Sequence, residues 1–175
     1  MDDISRLFTK GVNQRFAHEI AHQYWGHVVK MPSYEEQWLT ESFAEYCSAL
    51  ALRQMRNKGQ GAYDALVSTW KSDASSATSA APIPLANRIW ADKDPRARYL
   101  FRTGLIYSKG AYLLYKLHKE LGDKNFLIFL RSYQLNFKWK FGTTRDVNGL
   151  INFITKKDYT PFFDSYYWGT GLPKD

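Results

Sequence analysis

The stretch Asn13-Gln14-Arg15-Phe16-Ala17-His18-Glu19-Ile20-Ala21-His22-Gln23-Tyr24-Trp25 decides how the rest of this sequence is read. Phe16, Ile20, Ala21 and Tyr24 recur at helical spacing, which predicts a first helix over 13–29. Inside it lies an H-E-x-x-H string. Positions i and i+4 of an α-helix are offset by only ~40° and stand one turn apart, so the imidazoles of His18 and His22 can meet one ion. Glu19 lies beside them, close enough to hydrogen-bond a water at that ion without being a ligand itself.

Two imidazoles do not complete a site. A catalytic zinc takes three protein ligands and keeps one position open. Glu41, separated from His22 by eighteen residues, opens a second predicted helix, with Thr40 as the expected N-cap. That helix should run to about residue 57 and end near Gly59 and Gly61. A connecting loop over 30–37, containing Pro32 and Ser33, would turn the chain back and bring Glu41 against the first helix. Glu35 and Glu36 are rival ligands in that loop, where no element sets their direction. Glu45 follows Glu41 by four positions and shares its helix face. It is expected to accept the free N–H of His18 or His22, the alternative being an ordinary surface glutamate.

Downstream, a short helix is predicted over 63–71. The Ser/Ala/Thr-rich run that leads into Pro82 and Pro84 then reads as a flexible loop over 72–84. A long helix over 105–121 places Tyr107, Ala111, Leu114, Leu117 and Leu121 on one stripe, with Gly122 set to close it. Asp123 should cap a fourth long helix with Phe126, Leu127, Leu130, Tyr133 and Phe137 inward. Thr144 should cap a fifth with Val147, Leu150, Ile151 and Ile154 inward. Thr160-Pro161 opens a last short helix that carries Phe162, Phe163, Tyr166 and Trp168. There is no internal repeat and no run of strands, so the expected fold class is mainly α.

Composition narrows the function classes. At 175 residues the chain is sized for one domain, and 45% hydrophobic with 17% aromatic residues is ample for a core, which excludes a wholly disordered chain. No apolar run approaches the ~20 residues of a membrane-crossing helix, so no transmembrane segment is expected in this chain. A single cysteine, Cys47, excludes an internal disulfide framework and a cysteine zinc knuckle, and reads as a small buried hydrophobe. The net charge of +7 is spread along the sequence without a basic motif interleaved with aromatics, so no nucleic-acid partner is expected. Residues Met1–Thr9, with Asp2 and Asp3 and no apolar h-region, do not read as a secretory signal. His27 and His118 read as ordinary surface or helix-end histidines.

Four segments in order carry a resemblance. They are H-E-I-A-H-Q-Y-W-G over 18–26, W-L-T-E-S-F-A-E-Y over 38–46, Tyr107-Ser108-Lys109-Gly110, and W-G-T-G-L-P over 168–173. Together they resemble the aminopeptidase N family of zinc gluzincins, to which leukotriene hydrolase also belongs. The resemblance implies the helical subdomain of a thermolysin-like zinc peptidase catalytic domain. It also implies one Zn2+ held by His18, His22 and Glu41, with Glu19 as general base, Tyr107 donating its hydroxyl to the developing oxyanion, and a peptide as substrate. Two alternatives stay open: zinc-assisted hydrolysis of a non-peptide substrate such as an epoxide, and a metal-binding but inactive interaction module. The family usually reads Asn-Glu-Gly around its third ligand, where this chain has Thr40-Glu41-Ser42, and His27 stands where the family commonly has Asn. The G-x-M-E-N segment with which the family's aminopeptidases bind a free α-amino group is absent, and in the family it belongs to a β-subdomain upstream of the zinc helix. The expectation is therefore a piece of a longer protein, with further domains upstream and the downstream side left open. Exopeptidase and endopeptidase action are not distinguished by these residues.

Overall fold

The computed structural model describes residues 10–55, 59–78, 81–88 and 94–174. Along them run α1 (Lys10–Ala21), α2 (Trp38–Arg53), α3 (Gly59–Thr78), α4 (Pro95–Thr103), α5 (Gly110–Phe137), α6 (Thr144–Thr155) and α7 (Thr160–Tyr166). Short 3-10 turns occupy Tyr34–Glu36 and Ile83–Leu85, and a π-helical turn occupies Gly104–Lys109. No strand forms among the described residues; isolated bridges join Trp25 to Val29 and Lys30 to Phe141. The mainly-α expectation holds. Met1–Thr9, the last residues of the predicted second helix, and residues 79–80 lie outside the described residues.

The first helix stops well before the predicted end. The chain leaves it after Ala21 and passes through Gly26 at φ +123°, a conformation that only glycine adopts without strain. The N–H groups of His27, Val28 and Val29 then reach back five residues to the carbonyls of His22, Gln23 and Tyr24. Phe16, Ile20 and Tyr24 keep their helical spacing but are exposed; His18, Ala21, Trp25 and Val29 are buried instead.

The second helix begins at Trp38, so Thr40 is not its cap. Gln37 is the N-cap residue, and the Thr40 hydroxyl donates back to the Gln37 carbonyl at 2.9 Å. Trp38 and Leu39 enter the helix because both are buried there, and each such burial contributes about 2 kcal/mol.

The predicted loop over 72–84 is also corrected, since α3 continues through Thr78. Its Ser/Ala/Thr composition suits a helix packed closely against a neighbour. Ala74 and Ala77 are buried, and the hydroxyls of Ser75 and Ser76 donate to the carbonyls of Lys71 and Ser72 four residues back. The small side chains let the π-helical turn approach: a Cβ at Gly104 would stand 2.7 Å from that of Ala77. Helix α4 is an addition to the predicted elements. Pro95 opens it, and the Asp94 carboxylate accepts from the Arg96 and Ala97 N–H groups at 3.1 Å each. The chain then runs as one rod through the π turn into α5. Gly122, at φ +73°, breaks that rod where the sequence predicts a helix end.

Helix α2 packs against α1, α3 and α5 and carries the centre of the core. Phe43 is fully buried with its ring centroid 4.6 Å from Trp25 and 5.3 Å from Trp38. The Trp38 indole donates to Thr144 Oγ1 at 2.7 Å, tying α2 to the start of α6. Thr143, not Thr144, caps α6, forming a capping box with Asp146. Leu127 is exposed rather than inward, and its place in the core is taken by Phe129. His118, in the last turn before the break at Gly122, is buried between the Tyr46 hydroxyl and Asp123 rather than on the surface. Cys47 is only partly buried against the core.

Lys109, the last residue of the π turn, is fully buried, its ammonium donating to the Gly169 carbonyl at 3.0 Å. Burial pushes its pKa down to about 8 from its ordinary 10.5. A base whose folded pKa is depressed burdens the fold while charged, so the unfolded chain binds the extra proton between these two values. Stability contributed by this group should therefore rise as pH climbs from about 8 towards 10.5. Urea unfolding at about pH 7.5 and about pH 10 should show wild type gaining stability relative to Lys109→Met, and a constant difference would contradict it.

Candidate metal centre and active site

Three elements deliver the site. Helix α1 supplies His18 and Glu19, and His22 follows at its end, where its N–H still bonds the His18 carbonyl at 3.2 Å. The first turn of α2 supplies Glu41, and the π turn supplies Tyr107. Glu41 Oε2 lies 3.5 Å from His18 Nε2 and 3.3 Å from His22 Nε2. Among the described residues, His18, His22 and Glu41 form the one such metal-competent group, with ligand atoms all within 4.8 Å of one another. Two ligands at ~2.0–2.1 Å from a tetrahedral zinc stand about 3.4 Å apart, which these two distances match. The rival carboxylates are engaged elsewhere. Glu35 pairs with Arg88, and Glu36 accepts from the Thr144 N–H at 3.1 Å and from the Tyr167 hydroxyl at 3.3 Å.

The outer nitrogen of each ring is tied. His18 Nδ1 meets Glu45 Oε2 at 2.9 Å, and His22 Nδ1 meets the Trp25 carbonyl at 3.0 Å. A carboxylate and a carbonyl only accept, so each Nδ1 carries a hydrogen and each Nε2 keeps its lone pair for a metal. The early end of α1 is what turns the Trp25 carbonyl towards His22. Glu45 is held in turn by the indole of Trp70, which donates to its other oxygen at 3.1 Å. Trp70, buried on α3, is not legible as a site residue because nothing in the sequence relates α3 to α1.

The carboxylates also shape the affinity of the rings for protons. Burial works against charging His18, but Glu41 and Glu45 outweigh it and raise its pKa to about 9. Glu41 raises His22 as well, against burial. Burial would raise Glu41, yet the two imidazoles and the Tyr107 hydroxyl hold its carboxyl well below the usual range. Burial, with Glu41 beside it, pushes the Tyr107 phenol above its ordinary value, so it stays a proton donor at neutral pH. The Tyr107 ring stacks on His18 with centroids 5.9 Å apart.

The turn that carries Tyr107 is tied to α2 by a hydroxyl at position 42. A π turn leaves a carbonyl without its usual helical partner, and here Ser42 Oγ donates to the Ile106 carbonyl at 2.5 Å. Gly110 makes room for it, since a Cβ there would meet the Ser42 side chain. His18, His22, Glu41, Tyr107 and the exposed Glu19 line a cleft of about 570 Å³. His27 stands outside this cleft, its ring bonded to the His22 carbonyl at 2.7 Å.

The family model for the peptidase family M1 domain matches residues 3–166. This chain is a member of peptidase family M1. Aminopeptidase N of Lactococcus lactis subsp. lactis is 28% identical over 162 residues, covering 90% of this chain and 18% of its own length. Leucyl aminopeptidase of Saccharolobus solfataricus is 26% identical over 174 residues, covering 98% of this chain and 22% of its own. The crystal structure of an M1 zinc metallopeptidase from Deinococcus radiodurans superposes with a TM-score of 0.73 at 25% identity, over 92% of this chain and 34% of that one. The M1 chain thus spans about a fifth of the curated relatives it matches and a third of the solved one.

If Glu45 orients His18, Glu45→Gln should weaken zinc affinity by about tenfold in a competitive chelator titration, while Glu45 as a mere surface residue predicts no change.

Proposed function

We propose that this chain is the zinc-binding, helical part of an M1 peptidase that hydrolyses peptide bonds with water. The observation that carries the reading is the convergence of His18 Nε2, His22 Nε2 and Glu41 Oε2 on one point while Glu45 and the Trp25 carbonyl occupy both outer nitrogens. His18, His22 and Glu41 would hold one Zn2+. When bound, zinc supplies Lewis acidity, lowering the pKa of water at the site to ~7 and polarising a carbonyl. The relatives named above as aminopeptidases, and the neighbour described as a zinc metallopeptidase, support the same assignment.

The chain's own groups supply the rest. Glu19 neighbours His18 in sequence and lines the cleft, where its carboxylate takes the proton of the attacking water and returns it to the leaving amine. Tyr107 donates its hydroxyl to the oxygen that gains charge as the carbonyl becomes tetrahedral. That contact strengthens only as charge develops, so it lowers the barrier rather than tightening substrate binding. Ser42 and Gly110 keep the Tyr107 turn against the ligand helix, so the donor does not have to be reorganised during the reaction.

The decisive test separates binding from chemistry. Glu19→Gln should retain one zinc per chain and lose hydrolysis of aminoacyl and internally quenched peptide substrates by at least ~10²-fold. Hydrolysis that survives this change would exclude the general-base role, and a wild-type chain that binds no zinc would exclude the metal reading. Tyr107→Phe should lower kcat by ~10²–10³ with little change in KM, which steady-state kinetics would read directly.

A further inference from the structure

Glu41 has two oxygens, and only Oε2 faces the histidines. Its other oxygen, Oε1, faces Gln37, whose Nε2 stands 3.4 Å away, a long contact set by direction more than by strength. Gln37 is buried one helical turn before Glu41, in the N-cap position of α2.

Its amide has one permitted orientation. Gln37 Oε1 accepts from Arg102 Nη2 at 3.0 Å and from Asn87 Nδ2 at 3.0 Å. The guanidinium has donors only, so the oxygen end must face it and the NH2 end must face Glu41. Asn87 is itself fixed, because its oxygen accepts from Arg102 Nε at 2.9 Å while its NH2 also donates to the Tyr34 carbonyl at 2.9 Å. Arg102, Asn87 and Glu41 thus hold one primary amide in a single orientation. Reversing either amide would set its NH2 against a guanidinium N–H.

Resting on the metal reading above, we propose that Gln37 is the positioning residue of the third ligand. Oriented by Arg102 and Asn87, it occupies Glu41 Oε1 and presents Oε2 alone to the metal. The carboxylate then contributes one bond rather than two, which preserves the open position that a catalytic site needs. Arg102 sits on α4, five residues before Tyr107, so the same network links the ligand-bearing end of α2 to the helix that runs into the Tyr107 turn.

The test uses the whole chain, stripped of metal and titrated with Zn2+ against a chromophoric chelator, then with Co2+ for its visible spectrum. Gln37→Met conserves volume and removes both hydrogen-bonding ends. It should weaken zinc affinity about tenfold and reduce the cobalt absorption as the freed carboxylate adds its second oxygen. Arg102→Met should weaken zinc binding by itself and add nothing in the Gln37→Met background, because it acts through Gln37. Zinc affinity within about twofold of wild type in Gln37→Met, or additive losses in the double variant, would overturn the proposal. Should Gln37→Met fail to fold, Asn87→Ala, altered at an exposed side chain, decides instead: weaker zinc binding with an altered cobalt spectrum supports the relay, and unchanged values overturn it. A wild-type chain that binds no zinc, like a Glu41→Gln control, would overturn the metal reading itself and the relay with it.

Discussion

Each imidazole of the His18–His22 pair has two nitrogens, and the site depends on the same one, Nε2, being left over on both rings. Two unlike acceptors achieve this. One is a carboxylate from the neighbouring helix, and the other is a backbone carbonyl in the turn that follows α1. Neither acceptor can donate, so the tautomer of each ring follows from the fold rather than from the histidines themselves. The glycine at φ +123° and the wide-turn hydrogen bonds after Ala21 are therefore part of the site, although none of those groups would touch a metal.

Holding two carboxylates and two imidazoles in a half-buried cleft requires a rigid frame, because ionised groups removed from water are tolerated only when paired. Helix α2 provides the frame. Its buried side carries Trp38, Phe43 and Tyr46 into the aromatic core, and the more accessible Glu41 and Glu45 look towards α1. On the far side, small residues do the complementary work. Ala74, Ala77, Gly104 and Gly110 let α3, α2 and the π turn approach closely enough for Trp70 to reach Glu45 and for Ser42 to reach the Ile106 carbonyl. Where the aminopeptidase N pattern has glycine at position 42, this chain gains a hydroxyl and uses it to hold the turn that carries Tyr107.

Much of this is legible from spacing. The i, i+4 histidines share one face at the end of α1, and Glu45 stands one turn after Glu41 on one face of α2, as helical geometry requires. Where structure and expectation part, the causes are physical. Phe16 and Ile20 lie on the exposed side of a short helix, and Tyr24 beyond its end is exposed too, because periodicity reports a face without saying what covers it. The Ser/Ala/Thr run has the composition of a loop, yet small residues and back-bonding hydroxyls serve a tightly packed helix equally well. Asp94 and Pro95 do carry an N-terminal helix signal, one that lies within two residues and is easily outweighed by the composition around it.

What the sequence by itself determined is the mainly-α class, the two imidazoles that converge and the break at Gly122, because each is encoded within one helical turn or by one residue's backbone freedom. Only the tertiary structure decided which glutamate of three joins the histidines, which nitrogen of each ring faces inward, and that Trp70, Ser42 and Gln37 stand behind them. Those choices rest on contacts between segments far apart in the chain. Long-range packing, not local spacing, sets the direction in which a side chain points.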